Sequence, residues 1–397
     1  MPIQIISLDV PDPRERHQPA NGWWRFPVLV AAIAVMALGI WGGLVRLGWA
    51  WPTPVGAVVD HGAIMIGGFL GTLLGLERAV ALGWKWCYLG PAASAAGGIL
   101  LIAGASPVLG GGLILAASMV MALDFVFIIR RQMTAFTLVM AGGAAAWVIG
   151  NLLWLAGRPI YQMVFWWIGF LVLTIVGERL ELSRLLPQSA RKQRTFLTVA
   201  GLFALGMILT LIFPGLGESI AGVSLLMLAV WLFIYDVARR TVRQSGLTRF
   251  IAVCLLAGYF WLGIGGILAI VHAGVIPMLH GHAWIASAMG PGFAYDAVLH
   301  AIFLGFVFGM IFGHAPIIFP AILGVRMRFS RRFYLHLLLL EGSVAWRVLC
   351  DISGGWSMRE WAGLINALAI LLFFVNTVTS IRFTSRQPAT VIVEGVS

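Results

Sequence analysis

Apolar runs of about twenty residues, separated by short clusters of arginine, glycine and proline, follow one another along nearly the whole chain. A run of that length is what a helix needs to cross the hydrocarbon core of a bilayer. Read between its breaks, the pattern predicts twelve spans at approximately 26–48, 56–82, 87–104, 107–129, 134–157, 161–185, 195–213, 218–239, 248–273, 293–315, 332–352 and 360–382. The expected fold is therefore all-α and polytopic, with a tail over 1–25, one transmembrane domain over 26–384 and a second tail over 385–397. The first tail lacks the basic stretch, short apolar core and cleavage site of a signal peptide.

The basic residues predict orientation. Arg14, Arg16 and Arg25 precede the first span, Lys85 follows the second, and Arg130 and Arg131 follow the fourth. Arg191, Lys192 and Arg194 follow the sixth, and Arg239, Arg240, Arg243 and Arg249 the eighth. Arg326, Arg328, Arg331 and Arg332 follow the tenth, and Arg382 and Arg386 the last. The opposite side holds Arg158 and Arg359, with Arg46 and Arg347 near helix ends. Loops rich in Lys and Arg stay in the cytoplasm, so an inner-membrane protein with both termini cytoplasmic is expected. Composition agrees: 60% hydrophobic and 10% charged residues exclude a soluble enzyme of this length. The net charge of +11 belongs to topology, because the basic residues form no extended face for nucleic acid. Cys87, Cys254 and Cys350 lie far apart in apolar runs and predict neither a disulfide framework nor a thiolate metal site.

Spans two, six and ten run in one direction, and each carries ionisable groups at depth. Span two has Asp60 and His61, then Glu77 and Arg78; span six has Glu178 and Arg179; span ten has His300 and His314. LLGLERAVAL (73–82) and IVGERLELSRL (175–185) repeat a Glu-Arg step one four-helix block apart. Gly67, Gly71 and Gly75 in span two, and Gly305, Gly309 and Gly313 in span ten, form ladders that permit close helix contact. Three blocks of four helices is one economical account of these features; chance recurrence of common membrane motifs is the other. In a regular helix His300 and His314 lie about 21 Å apart on one face, with Leu304, Val307 and Ile311 between them and the glycines opposite. The helix is expected to bend or end near His314, because Pro316 comes two residues later.

An imidazole inside a membrane either hydrogen-bonds a neighbouring helix or serves a function. His61 and His300 sit at similar depth on helices of matching direction, so together they can ligate a haem iron from two sides. Asp296, one turn before His300, can accept the second ring N–H, and Arg347 and Arg359 can meet haem propionates. His272, His280 and His282 form a second cluster, able to hold copper or to remain a solvated loop. Glu77, Arg78, Glu178 and Arg179 read first as ion pairs, with each other or across helices, and otherwise as an inner site for protons or anions. Glu341, midway along span eleven, is a proton-relay candidate. Asp124 and Asp236 read as interface charges near Arg130 and Arg239, and His17 and His336 as ordinary surface or interfacial residues.

A histidine early in helix two and another in helix ten of a twelve-helix chain resemble subunit I of the haem–copper oxidases. HGAIMIGGFLG (61–71) and HAIFLGFVFGM (300–310) are more closely similar to motifs of the NnrS family, twelve-helix proteins associated with haem, copper and protection from nitric oxide. The resemblance implies one haem b on His61 and His300, with propionates near Arg347 and Arg359, and a small ligand such as nitric oxide. Two departures limit it: Ala63 and Ile64 stand where the family motif has histidine and glutamate, and spans six to eight hold no histidine for the oxidases' copper site. Oxygen reduction is therefore not expected, and whether the chain is an enzyme stays open. The alternatives are a proton-coupled secondary transporter without cofactor, sited at the broken tenth helix with His314, Glu77 or Glu341 carrying protons, and an assembly or structural protein.

Overall fold

The computed structural model describes residues 25–183, 189–275, 291–323 and 325–382, which are almost entirely helical. His17, His280 and His282 lie outside them, so the three-histidine cluster cannot be followed further. In chain order the helices are α1 (Phe26–Leu47), α2 (His61–Leu82), α3 (Leu89–Ile102), α4 (Pro107–Arg131), α5 (Ala135–Leu155) and α6 (Ile160–Ser183). They continue as α7 (Ala190–Leu209), α8 (Pro214–Tyr235) and α9 (Gly246–Ile270). The composite α10 joins Pro291–His300, Ala301–Phe308 and Gly309–Leu323, and leads on to α11 (Phe333–Ser353) and α12 (Trp356–Ser380). Among the described residues, ten helices are long and apolar enough to cross a membrane, the build of a multi-pass protein. The other two fall short because α3 has only 14 residues and α7 opens on Arg191, Lys192 and Arg194.

Local chemistry sets the helix limits. Proline sits in the first turn of α1, α4 and α8, where no amide donor is lost. Gly83 and Gly354, both with positive φ, close α2 and α11 with a backbone bond to the preceding turn. A short antiparallel pairing of Arg326–Met327 with Ile381–Arg382 ties the chain after α10 to the end of α12.

Successive helices pack side by side from α1 to α12, and α12 returns to α1, so the arrangement closes. The three most buried of the ten are α2 (67%), α6 (83%) and α10 (67%), against no more than 56% for any other. Their glycines allow that centrality. A Cβ on Gly67 would come within 2.7 Å of Ile114 on α4, and one on Gly75 within 3.3 Å of Pro91 on α3. The glycine side of α10 backs onto α9, as expected: Gly305 faces Trp261, and a Cβ on Gly313 would lie 3.1 Å from Cys254.

Helix α10 departs from the expected geometry in two ways. It does not end at His314 but runs through Pro316 and Pro320 to Leu323. Packed transmembrane helices tolerate such prolines because their surroundings satisfy the freed carbonyls. Second, Ala301–Phe308 is wound as a π-helix, whose wider turn takes in an extra residue and rotates the rest of α10 about its axis. The single-face arrangement of His300 and His314 is thereby corrected. After His300 the cavity-lining positions are Phe303, Leu304 and Phe308, and Val307 is not among them. Two more π segments occur, Ile64–Leu70 just after His61 and Val271–Val275 containing His272.

Aromatic rings mark both ends of the helix bundle. Trp41, Trp49, Trp51 and Trp361 cluster at the end poor in basic residues, with ring centroids 4.9–5.2 Å apart. Trp84, Trp86 and Phe127 cluster at the arginine-rich end, where Arg131 lies over the Trp84 ring at 4.5 Å. Such girdles sit at membrane–water boundaries. The end with few basic residues is termed the outer end.

Candidate functional site

A cavity of about 730 Å³ opens at the outer end between α1, α2, α10, α11 and α12, with the tip of α6 at its rim. That volume falls in the usual range for small-molecule and cofactor sites. His61, His300, Arg347 and Arg359 all line it. Its depth is apolar, built by Met65, Ile66, Leu70, Phe303, Phe308 and Ile370.

Both imidazoles are fixed through the same ring nitrogen. His61 Nδ1 lies 2.8 Å from the Gly39 carbonyl on α1, and His300 Nδ1 lies 2.8 Å from the Asp296 carbonyl one turn back. A carbonyl can only accept, so each Nδ1 carries a proton, and in the neutral ring the lone pair is then on Nε2. Neither Nε2 has a hydrogen-bond partner among the described residues, although both side chains line the cavity. Such Nδ1 bonds set the ring orientation and tautomer of ligating histidines. The close approach of α1 is needed too: a Cβ on Gly43 would stand 2.7 Å from His61 Cε1.

The outer rim is charged and internally paired. Asp296 Oδ2 accepts from Arg347 Nη2 at 2.9 Å and from Arg359 Nη2, and lies 3.3 Å from His300 Nδ1. Arg359 Nε also lies 2.5 Å from Asp351 Oδ1, a fully buried carboxyl. Arg46, unremarked in the sequence beyond its topology, joins the rim and donates to the Val58 carbonyl at 3.1 Å. So one carboxylate gathers two arginines and the His300 ring.

The other ionisable candidates lie away from the cavity. Arg78 on α2 pairs with Glu178 on α6, and Arg179 pairs bidentately with Asp236 at 2.8 and 2.9 Å. The cross-helix pairs were expected, but Asp236 serves Arg179 and not Arg239. Its carboxylate is buried at the end of α8, where it also accepts from the Ala238 amide at 2.7 Å. His314 belongs to this cluster, with Nε2 3.5 Å from Arg179 Nη1 and Nδ1 bonded to the Met310 carbonyl at 2.7 Å. Glu77 is half-buried beside Arg78. Glu341 accepts from Trp261 Nε1 at 2.5 Å, and its Oε1 is buried without a hydrogen bond. His272 bonds Glu218 at 2.8 Å, and the described residues contain no group of three side chains able to hold a metal.

The floor of the cavity was not foreseen. Phe308 stacks on Phe69 and meets Phe312, which stacks on Phe373 at 4.4 Å. Beneath them lies His336, read from sequence as interfacial but fully buried, with Phe250, Phe312, Phe333 and Phe373 around its ring. Asn376 Nδ2 lies 3.1 Å from its Nδ1. Asn366 is a further cavity residue that was missed; an amide within an apolar span was the available signal.

No curated protein matches the chain. One family profile does, over residues 25–382, and it is described as a domain of unknown function, DUF8744. With every described helix inside that match, the chain belongs to the DUF8744 family.

Proposed function

We propose that the protein is a membrane haemoprotein of the NnrS type, holding one low-spin haem between α2 and α10, with a role in the response to nitric oxide or related respiratory stress. One observation carries this reading: two free imidazole Nε2 atoms, from two different helices, belong to one apolar cavity. The residues fit the group in donor type, in the apolar depth for a macrocycle and in the arginines at the rim for its carboxylates. Bound there, a haem would supply a one-electron iron couple. His61 and His300 would hold it, and Asp296 would keep the His300 ring and both arginines in place. The proposal includes twelve spans, α3 and α7 among them, in three arcs of four with both termini cytoplasmic.

The test is a reduced-minus-oxidised visible spectrum of the detergent-purified protein beside His61→Ala and His300→Ala. Sharp low-spin bands in the parent, lost in each variant, are expected. A colourless parent from haem-replete cells sinks the reading.

A second reading, a proton-coupled transporter without cofactor, draws on the π segments of α2 and α10, which interrupt regular helix where both line the cavity. Gradient-driven uptake by a protein without visible absorbance would establish it.

A further inference from the structure

Trp261 on α9 is wedged between two other helices. The body of its indole lies against Gly305, inside the π segment of α10, where a Cβ would stand 2.5 Å from Trp261 Cβ and 2.7 Å from Cδ2. The contacts on either side are close as well, with Ile302 over Gly265 and Met310 over Gly258. The indole nitrogen points the other way: Nε1 has one proton and gives it to Glu341 Oε2 on α11 at 2.5 Å. One rigid ring therefore joins a carboxyl of α11 to the wide turns that begin right after His300.

Glu341 stands about 12 Å from the inner end of α11 and about 18 Å from its outer end. Its Oε1 is buried without a hydrogen bond, and among the described residues it makes no ion pair. The titratable group that faces it is the buried thiol of Cys254 on α9. The charges of α10, α11 and α12 are engaged elsewhere, His314 with Arg179, and Asp296 with His300, Arg347 and Arg359. A carboxylate left alone at this depth is costly, and a proton is the smallest counter-charge that removes the cost. The side chain is half-buried beside the exposed row Leu335, Leu338 and Gly342, and it does not line the cavity. We propose that Glu341 is a proton-binding site inside the membrane, whose charge state Trp261 transmits to the π segment of α10. With the proton on Oε1, the bond from Trp261 joins neutral groups; once the proton leaves, that bond becomes charge-assisted and stronger. The hold of the ring on Gly305 changes with it. The inference is independent of which molecule the cavity takes.

The experiment treats the full-length protein in detergent with dicyclohexylcarbodiimide, an apolar reagent that modifies carboxyl groups in their protonated form, and reads the adduct by mass spectrometry. Glu341 should be labelled at about pH 6, and the labelling should fall roughly tenfold by about pH 9.5. Amide hydrogen exchange across 301–308 is then compared between wild type and Glu341→Gln at each pH, so that the intrinsic pH dependence of exchange cancels. The two proteins should match at the lower pH, where glutamine mimics the neutral acid, and wild type should exchange several-fold faster at the higher. Trp261→Phe keeps a ring against Gly305 but has no donor, so in that background the difference should vanish while the labelling persists. Glu341→Asp, which draws the carboxyl back from the indole, makes the same test if the phenylalanine variant folds poorly. No labelling, or labelling that does not change with pH, overturns the proton site. Normal labelling with identical exchange, or an exchange difference equal at both pH values, overturns the link to α10 and leaves Trp261–Glu341 a structural bond.

Discussion

At the scale of single residues, His61 depends on two glycines of the neighbouring helix. Gly39 supplies the carbonyl for Nδ1, and Gly43 leaves room for the ring edge. Gly43→Val should therefore displace the imidazole without breaking α1, since valine is acceptable in an apolar helix. The expected result is an altered or lost low-spin spectrum in a protein that still elutes as a folded species in gel filtration. The Arg179–Asp236 pair calls for a different prediction. Both groups are almost fully buried, so Asp236→Ala leaves an uncompensated guanidinium and should cost roughly 3–5 kcal/mol. Adding Arg179→Met should recover much of that loss, as an apolar pair replaces a lone charge. Thermal unfolding of the single and double variants measures both effects.

At the scale of elements, the apolar runs were a faithful guide to helices. Each predicted span coincides with one, and the glycine ladder of α10 faces α9 as its spacing required. The histidine pair was legible too, because two polar groups in apolar runs stand out on hydropathy alone. The π segments were not legible. Widening a turn shifts backbone hydrogen bonds by one residue and leaves the local composition unchanged, so no hydrophobic period announces it. That shift separates His300 from His314 and turns Phe308, not Val307, into the cavity. Deleting one residue within Ala301–Phe308 should return α10 to regular winding and rotate His300 relative to Gly309–Leu323. On the proposed haem reading, loss of haem with retained membrane expression is the expected outcome; unchanged haem would show that the wide turn does not set the site. The burial of His336 and Asn366 escaped notice for another reason. Nearly every side of every helix is apolar here, so hydrophobicity cannot tell a lipid-facing position from a core one.

At the scale of the whole molecule, the closed order of helices puts α2, α6 and α10 at the centre, and α6 joins both flanks through consecutive residues. Glu178 reaches Arg78 on α2, while Arg179 reaches Asp236 and His314. The proposed orientation follows from the arginine distribution and is open to labelling with membrane-impermeant maleimide. Gln132→Cys should react only from the cytoplasmic side and Arg158→Cys only from the outside; the reverse pattern would invert the topology. The native background is quiet, since all three cysteines are buried. Cys87, in the turn before α3, has no exposed surface, so an impermeant maleimide does not reach it.

The aromatic floor bears on how cells can tolerate this protein. Phe308 lines the cavity, and a row of buried rings continues from it through Phe69, Phe312 and Phe373 to the buried His336. A pocket shaped as a cup gives ions no wetted path between the two compartments, however wide its mouth. Vesicles carrying the protein should therefore hold an imposed pH gradient as long as empty vesicles do. Opening the floor with Phe312→Ala should shorten that lifetime. The same rings that bound a ligand site would then be what keeps an energised membrane tight.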